Sequence, residues 1–238
     1  MKNLILSGRY FNFLSSLFNF AVKSRDRSDL KLSFRDLYPR LDESTKETTF
    51  DRHYIYHTAW AARKLKELKP AFHIDISSSL YFSTIVSAFI PIRFYDYRPV
   101  KISLSGLTTR YADLTRLHFK SNSIKSLSCM HTVEHIGLGR YGDPIDPLGD
   151  IKAINQLKRV LKKGGSLLFV TPVGRPKIVF NAHRIYSKDQ IVEYFKGLKL
   201  IEFVLIPDNI KDGNLIINPE KNLLNKQNYG CGCFLFRK

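Results

Sequence analysis

The sequence predicts an α/β domain built on a mostly parallel sheet of seven strands, with helices on both faces. Three observations carry this. From about residue 71 onward, short apolar runs alternate with helical stretches, and parallel strands need such crossover connections. Each of the first four runs ends near a polar residue, Asp75, Asp96, Asp113 and His131, where a purely structural strand end needs none. Turn residues, among them Pro70, Gly164-Gly165 and Pro172, punctuate the periodic segments.

Taken in order, the stretch from Leu4 to Val22 is apolar and aromatic but interrupted by Arg9, Asn12 and Asn19. It makes neither a convincing membrane span nor a signal peptide. Phe11, Leu14, Leu17 and Phe18 fall on one helical face with Lys2, Arg9, Lys23 and Arg25 around them, which fits a membrane-surface helix or a helix packed on the domain. Ser24 to Asp51 is charged and turn-rich. Residues 1–50 therefore read as an amphipathic extension and linker, and residues 51–238 as the α/β domain. Within it, Thr58 to Leu68 reads as a helix stopped by Pro70. Strands follow at Ala71 to Ile76, Ile92 to Tyr97, Thr108 to Leu114 and Ile124 to His131, with a helix from Leu80 to Phe89 after the first. Gly149 to Lys163 lines Ile151, Ile154, Leu157 and Leu161 along one side and ends at Gly164-Gly165. A strand from Ser166 to Thr171 comes next, then a helix opened by the capping-box pair Ser187 and Gln190, and final strands at Leu200 to Ile206 and Cys233 to Phe236. No internal repeat or low-complexity tract interrupts this.

With 238 residues and 44% hydrophobic content, the chain can bury one sizeable core. Its 38 basic against 21 acidic side chains give a formal charge of +17, spread along the chain. A solvated basic surface explains that better than a nucleic-acid groove. Cys129, Cys231 and Cys233 form no disulfide framework, and Cys231-Gly232-Cys233 has the wrong spacing for a zinc ribbon or a thioredoxin-type pair. A reducing, cytoplasmic setting fits.

With strand-end acids at Asp75, Asp96 and Asp113, and with Leu117-His118-Phe119 and Leu161-Lys162-Lys163-Gly164-Gly165 before strands four and five, the sequence resembles the class I S-adenosylmethionine-dependent methyltransferases. The resemblance implies their Rossmann-like fold and their cofactor. It assigns Asp75 and the turn Ser77 to Ser79 to the first cofactor loop, Asp96 to the ribose hydroxyls, and Asp113 to the adenine. A carboxylate suits the ribose because it accepts two hydroxyl hydrogen bonds at once. More narrowly, His135-Ile136-Gly137-Leu138-Gly139-Arg140-Tyr141-Gly142-Asp143-Pro144, with Phe180 to Arg184 and Tyr229-Gly230-Cys231-Gly232, looks like a bacterial methyltransferase-like family classed as a domain of unknown function. That resemblance runs from about Leu41 to the C-terminus. Its members are often encoded near surface-polysaccharide genes, which implies a sugar or surface-glycan precursor as substrate.

One departure stands out. The family's Gly-x-Gly-x-Gly turn is replaced by Ser77-Ser78-Ser79, and serine adopts positive φ only at a cost. A modified turn that still binds cofactor and a pocket that has lost it are both open.

His131-Thr132-Val133-Glu134-His135 matches the inverted zinc-protease string His-x-x-Glu-His. The preceding residues read as a buried strand, so His131 and His135 do not share a helical face. In the methyltransferase reading the segment lines the substrate side, and His131 also touches the cofactor. There His131, Glu134, His135 or the later His183 can take a proton from an acceptor hydroxyl; anchoring of the next loop is the bland alternative for Glu134 and His135. Gly137 to Gly142 fits the dinucleotide Gly-x-Gly-x-x-Gly string, but Pro144 and Pro147 delay the helix, so it reads as a pocket rim. Arg140, Asp143, Asn181 and Arg184 are its substrate-binding candidates, with an ion pair to Asp143 or Asp146 as the alternative for Arg140. His53 and His57 read as a surface helix face rather than a metal pair, and no metal is assigned. Asp51, Tyr54 and Trp60 are candidates for a lid.

The sequence thus points to an S-adenosylmethionine-dependent methyltransferase acting on a sugar-like hydroxyl. It has no specific nucleic-acid partner, and a peripheral membrane contact falls to the N-terminal segment. A non-catalytic methyltransferase-like scaffold in glycan assembly is the main alternative. A nucleic-acid methyltransferase and a zinc peptidase stand further off.

Overall fold

In the computed structural model, which describes residues 2–238, the chain divides into two compact units, Met1–Phe50 and Asp51–Lys238. The first contains helix α1 (Lys2–Lys23) and an ion pair between Arg9 and Asp42. Phe13, Leu17 and Ala21, at helical spacing, are its half-covered apolar positions, whereas Phe11, Leu14 and Phe18 are exposed. No helix among the described residues is long and apolar enough to cross a membrane.

The second unit opens with α2 (Arg52–Leu68), whose N-cap Asp51 accepts a hydrogen bond from the Tyr54 amide. Then come β1 (His73–Ile76), α3 (Leu80–Val86), β2 (Ile92–Asp96), β3 (Leu107–Tyr111) and β4 (Ile124–Met130). After them run α4 (Gly149–Val160), β5 (Leu161–Val173), the hairpin β6 (Lys177–Val179) and β7 (His183–Ile185), and α5 (Lys188–Tyr194). The chain finishes with β8 (Lys199–Ile206), β9 (Ile216–Ile217), α6 (Lys221–Lys226) and β10 (Gly230–Arg237). The main sheet runs β3-β2-β1-β4-β5-β10-β8-β9. Its first five strands are parallel, and β10 enters antiparallel between β5 and β8. The chain steps from β1 to β2 on one side and returns to β4 on the other, so the crevice outside the carboxyl ends of β1 and β4 is the switch point where such sheets bind ligands.

Seven strands were expected and the sheet has eight. The addition, β9, is only two residues, Ile216 and Ile217, paired with Leu205 and Val204, too short to show a period. The helix expected to reach Lys163 stops at Val160, because Leu161 already pairs with Ile124 and the strand begins there.

Alternation along the strands fills two apolar layers. Leu167, Phe169, Phe234 and Phe236 face Ile154 and Leu157 of α4 and Phe195 beside α5. Leu168, Val170, Cys231 and Cys233 face Trp60, Ala61 and Leu65 of α2 with Phe82 and Val86 of α3. Each such fully buried side chain contributes about 1.5–3 kcal/mol. This second layer brings α2 over the ends of β4 and β10.

Candidate active site

Four polar strand ends were expected to meet at one edge, and the structure brings three of them to one cavity. Asp96, Asp113 and His131 line a space of about 380 Å³, together with Ser77, Ser78 and Ser79, Tyr54, His135 and Asp143. Asp96 Oδ1 accepts from the Arg98 amide at 2.7 Å, and Asp113 Oδ1 accepts from the Thr115 amide and hydroxyl at 2.8 and 2.7 Å. Each carboxylate keeps its second oxygen unspent among the described residues. Arg98 and Lys152, which the sequence reading passed over, also line the cavity. Their signal was position: Arg98 sits two residues beyond Asp96, and Lys152 lies in the first turn of α4.

The serine turn keeps a glycine-like path. Ser77 has φ +55°, donates its amide to Tyr95 O at 2.8 Å and gives its own carbonyl to the Thr132 hydroxyl at 2.9 Å. Ser78 Oγ accepts from the Met130 amide at 3.0 Å, pinning the turn to β4. Ser79 caps α3 without a side-chain bond, so its hydroxyl stays available at the cavity.

Asp75 is corrected. It is fully buried outside the cavity lining, with Oδ1 accepting from Ser128 Oγ at 2.5 Å and Oδ2 accepting from Ser83 Oγ. Burial pushes its carboxyl up to about 6. The polar chain continues through Ser128. That hydroxyl has one proton, spent on Asp75, so His73 Nε2–H donates to Ser128 Oγ at 2.8 Å and His73 Nδ1 accepts from Ser126 Oγ at 2.7 Å.

Directly after β4, His131 has φ +53°, and its Nδ1–H donates to Glu134 Oε1 at 2.8 Å. Glu134 is fully buried and lies behind the lining; burial pushes it up to about 7 and pushes His131 down to about 4. Among the described residues, Glu134 Oε2 and the Thr171 hydroxyl have no hydrogen-bond partner, although Thr171 is close enough to pull the Glu134 carboxyl downward. His135 faces the cavity and donates Nδ1–H to Ala182 O at 2.6 Å, leaving Nε2, 4.0 Å from Glu134 Oε1, as the bare ring nitrogen. Burial lowers its pKa, so the ring is a neutral acceptor.

The substrate candidates divide. Asp143 lines the cavity but spends its carboxylate on the Gly137 and Tyr141 amides at 2.7 and 3.2 Å, fixing the turn. Arg140 pairs with neither acid; it donates to Ala182 O at 3.1 Å. Arg184 is corrected from ligand binder to brace, buried against Ile136 O at 2.7 Å and Asp150 Oδ2 at 3.5 Å. Asn181 lies outside the lining, its amide 3.5 Å from Leu138 O, and His183 packs on Tyr229 with ring centroids 4.9 Å apart. Of the lid candidates, Tyr54 lines the cavity, Asp51 caps α2, and Trp60 is buried below with Nε1–H donating to Glu202 at 2.9 Å. His57 is corrected too: it is buried against the sheet, not on a surface face.

The rim depends on Gly137, whose φ of +80° and closeness to Asp146 O leave no room for a Cβ, whereas Gly142, at φ +82°, has open space. Gly137→Ala is expected to cost about 2–4 kcal/mol, the sum of left-handed strain and backbone overlap, and Gly142→Ala about 1 kcal/mol. Urea unfolding of the two variants side by side checks the difference; equal costs would refute it.

Residues 101–211 match the family described as "Caenorhabditis protein of unknown function, DUF268". A search of curated proteins finds no match. Among solved structures, a putative sarcosine dimethylglycine methyltransferase from Galdieria sulphuraria is similar over 77% of this chain and 86% of its own, with TM-score 0.52 and 12% identity. A putative methyltransferase from Bacillus halodurans is similar over 74% of this chain and 98% of its own, with TM-score 0.50 and 13% identity. Geranyl diphosphate C-methyltransferase from Streptomyces coelicolor, solved with Mg2+, geranyl diphosphate and S-adenosyl-L-homocysteine, covers 75% and 78%, with TM-score 0.50 and 8% identity. At these identities the likeness is one of architecture, and the architecture of the chain is that of the Rossmann-like methyltransferases.

Proposed function

We propose that the chain is an S-adenosylmethionine-dependent methyltransferase acting on a hydroxyl of a sugar or surface-glycan precursor. The observation that carries this is the convergence of Ser77, Ser79, Asp96 and Asp113 on one cavity at the switch point of the sheet. Its volume of about 380 Å³ falls in the range of small-molecule sites. The residues fit the cofactor: the Ser77 turn holds the positive φ that glycine ordinarily supplies, and the free oxygens of Asp96 and Asp113 suit ribose hydroxyls and an adenine amino group. S-adenosylmethionine, when bound, supplies a sulfonium-activated methyl group.

The chain's own residues then position the acceptor and hold its proton. His135 Nε2 is the base best placed to receive the hydroxyl proton, because Nδ1 is fixed on Ala182 O. The buried Glu134 carboxylate beside it favours the imidazolium that forms. In this role Glu134 positions and stabilises, and His183 stays in support behind Tyr229. The sugar-like acceptor rests on the family resemblance, and the peripheral membrane contact rests on the exposed Phe11, Leu14 and Phe18 with their basic neighbours.

Calorimetric titration with S-adenosylmethionine and S-adenosylhomocysteine tests the first half. Saturable heat with one site per chain is expected from both. A folded sample that gives no heat with either moves the chain to the scaffold reading.

A further inference from the structure

Beside the cavity, on the face covered by α2, three potential metal ligands converge from distant parts of the chain. His53 comes from the first turn of α2, His131 from the end of β4 and Cys231 from the start of β10. Each offers one ligand atom, and the three atoms lie within 4.8 Å of one another. The separation of His131 Nε2 and Cys231 Sγ is 3.4 Å. On a tetrahedral zinc ion with Zn–N of about 2.05 Å and Zn–S of about 2.3 Å, that nitrogen–sulfur edge is about 3.6 Å. We propose that His53, His131 and Cys231 form a binding site for a borderline-soft divalent metal ion of the zinc class.

Three further features support this. Glu134 Oε1 receives the Nδ1–H of His131 at 2.8 Å, the carboxylate–histidine arrangement that fixes the tautomer of a ligating imidazole and leaves Nε2 bare toward the metal. Asp51, two residues before His53, supplies negative charge next to the cation. The third is an orphan. His57, fully buried, donates Nδ1–H to His53 O at 2.6 Å, and its Nε2 has no hydrogen-bond partner among the described residues. Its ring centroid is 4.9 Å from that of His131. A buried lone pair without a donor costs free energy that a metal-bound water next to it would recover.

Stacking explains part of the cluster without a metal, since the His53 and His131 rings are 5.8 Å apart and 9° from parallel. It does not explain the bare His57 nitrogen; the Cys231 sulfur facing His131 Nε2 is, in the metal-free chain, a thiol donating to that nitrogen at 3.4 Å. A ligand set of two imidazole nitrogens and one thiolate sulfur, with the fourth position open, is the pattern of a metal that binds water or a hydroxyl. Binding would exchange the Cys231 thiol proton for the metal, with that proton released to solvent. Because His131 also lines the cavity, the metal would sit at its edge, within reach of an acceptor hydroxyl.

The test uses the full chain, stripped with chelator and titrated with Zn2+ or Co2+ alone. No methyl donor or acceptor is present, so the outcome is independent of the methyltransferase reading. Expected are one equivalent of either ion and, with cobalt, a thiolate-to-metal charge-transfer band. His53→Gln, on a partly exposed helix turn, and Cys231→Ser should each weaken binding at least about tenfold, and the second should abolish the band. Cys129→Ser, a buried thiol outside the trio, should change neither. Absence of the band from the unaltered chain, or binding undiminished in His53→Gln, overturns the proposal. Should Cys231→Ser fail to fold, His53→Gln decides alone.

Discussion

Replacing Asp96 by alanine is expected to lower affinity for S-adenosylhomocysteine by about 100-fold or more while leaving the fold intact. The prediction rests on the cofactor reading. Hydrogen bonds to a charged carboxylate are worth about 1.5–3 kcal/mol each, and a ribose diol offers two donors to one acceptor pair. Among the described residues, Asp96 has only the Arg98 amide as hydrogen-bond partner, an exposed turn that water can satisfy. Its loss should therefore cost little stability. Asp96→Asn retains that turn bond through its carbonyl oxygen but loses the charge, and should fall between the two. Calorimetry on the three proteins, with circular dichroism as the fold control, gives the ranking. Equal affinities in all three would remove Asp96 from the site and weaken the assignment of the cavity.

Acid should destabilise the protein in part through His73, one of several buried histidines. Buried between two serine hydroxyls with no carboxylate in contact, this imidazole is pushed down to about 3 by desolvation, against 6.5 in a solvated chain. Below pH 6.5 the unfolded chain takes up a proton that the folded chain refuses. Stability from this group is thus complete above pH 6.5 and is lost as pH falls toward 3, by about 1.4 kcal/mol per unit at its steepest. Asp75 works the other way: its folded pKa is raised to about 6, so the folded chain binds that proton first and stability gains as pH falls through the same region. His73→Gln keeps a polar group in place and removes the titration. Its stability relative to the unaltered protein should improve steadily from pH 6.5 to 4.5, by about 2 kcal/mol in all. Urea melts across that range provide the comparison, and parallel curves would exclude His73 as the source.

The sheet was legible because its strands are short apolar runs with turn residues between them, and because a parallel order follows from the helices that alternate with them. Asp96 and Asp113 were legible as cavity residues for the same reason: chain direction places the ends of parallel strands at one edge. Asp75 obeys that logic and still lies inside. Nothing in Ile74-Asp75-Ile76 tells that Ser128 from β4 and Ser83 from α3 will close over its carboxylate. Arg184 follows a strand as a substrate residue would, yet the Ile136 carbonyl and Asp150 claim it. His57 was assigned to a surface helix face, with the regular helix expected to open at Thr58, whereas it opens at Arg52. With the start at Arg52, it falls in register with Trp60, Ala61 and Leu65 on the buried stripe. The trio of His53, His131 and Cys231 has no local signature, since His131 and Cys231 are 100 residues apart and only the insertion of β10 beside β5 brings them together.

The left-handed backbone at His131 uncouples two things that a substitution ordinarily changes together. At φ +53° a non-glycine residue carries the penalty of its Cβ, so His131→Ala deletes the imidazole and keeps that penalty, whereas His131→Gly deletes both. The pair of variants therefore separates the conformational cost carried by this corner of the chain from the chemistry its ring performs. Since a glycine would hold the same path at lower cost, the presence of histidine marks a position where shape alone does not account for the residue.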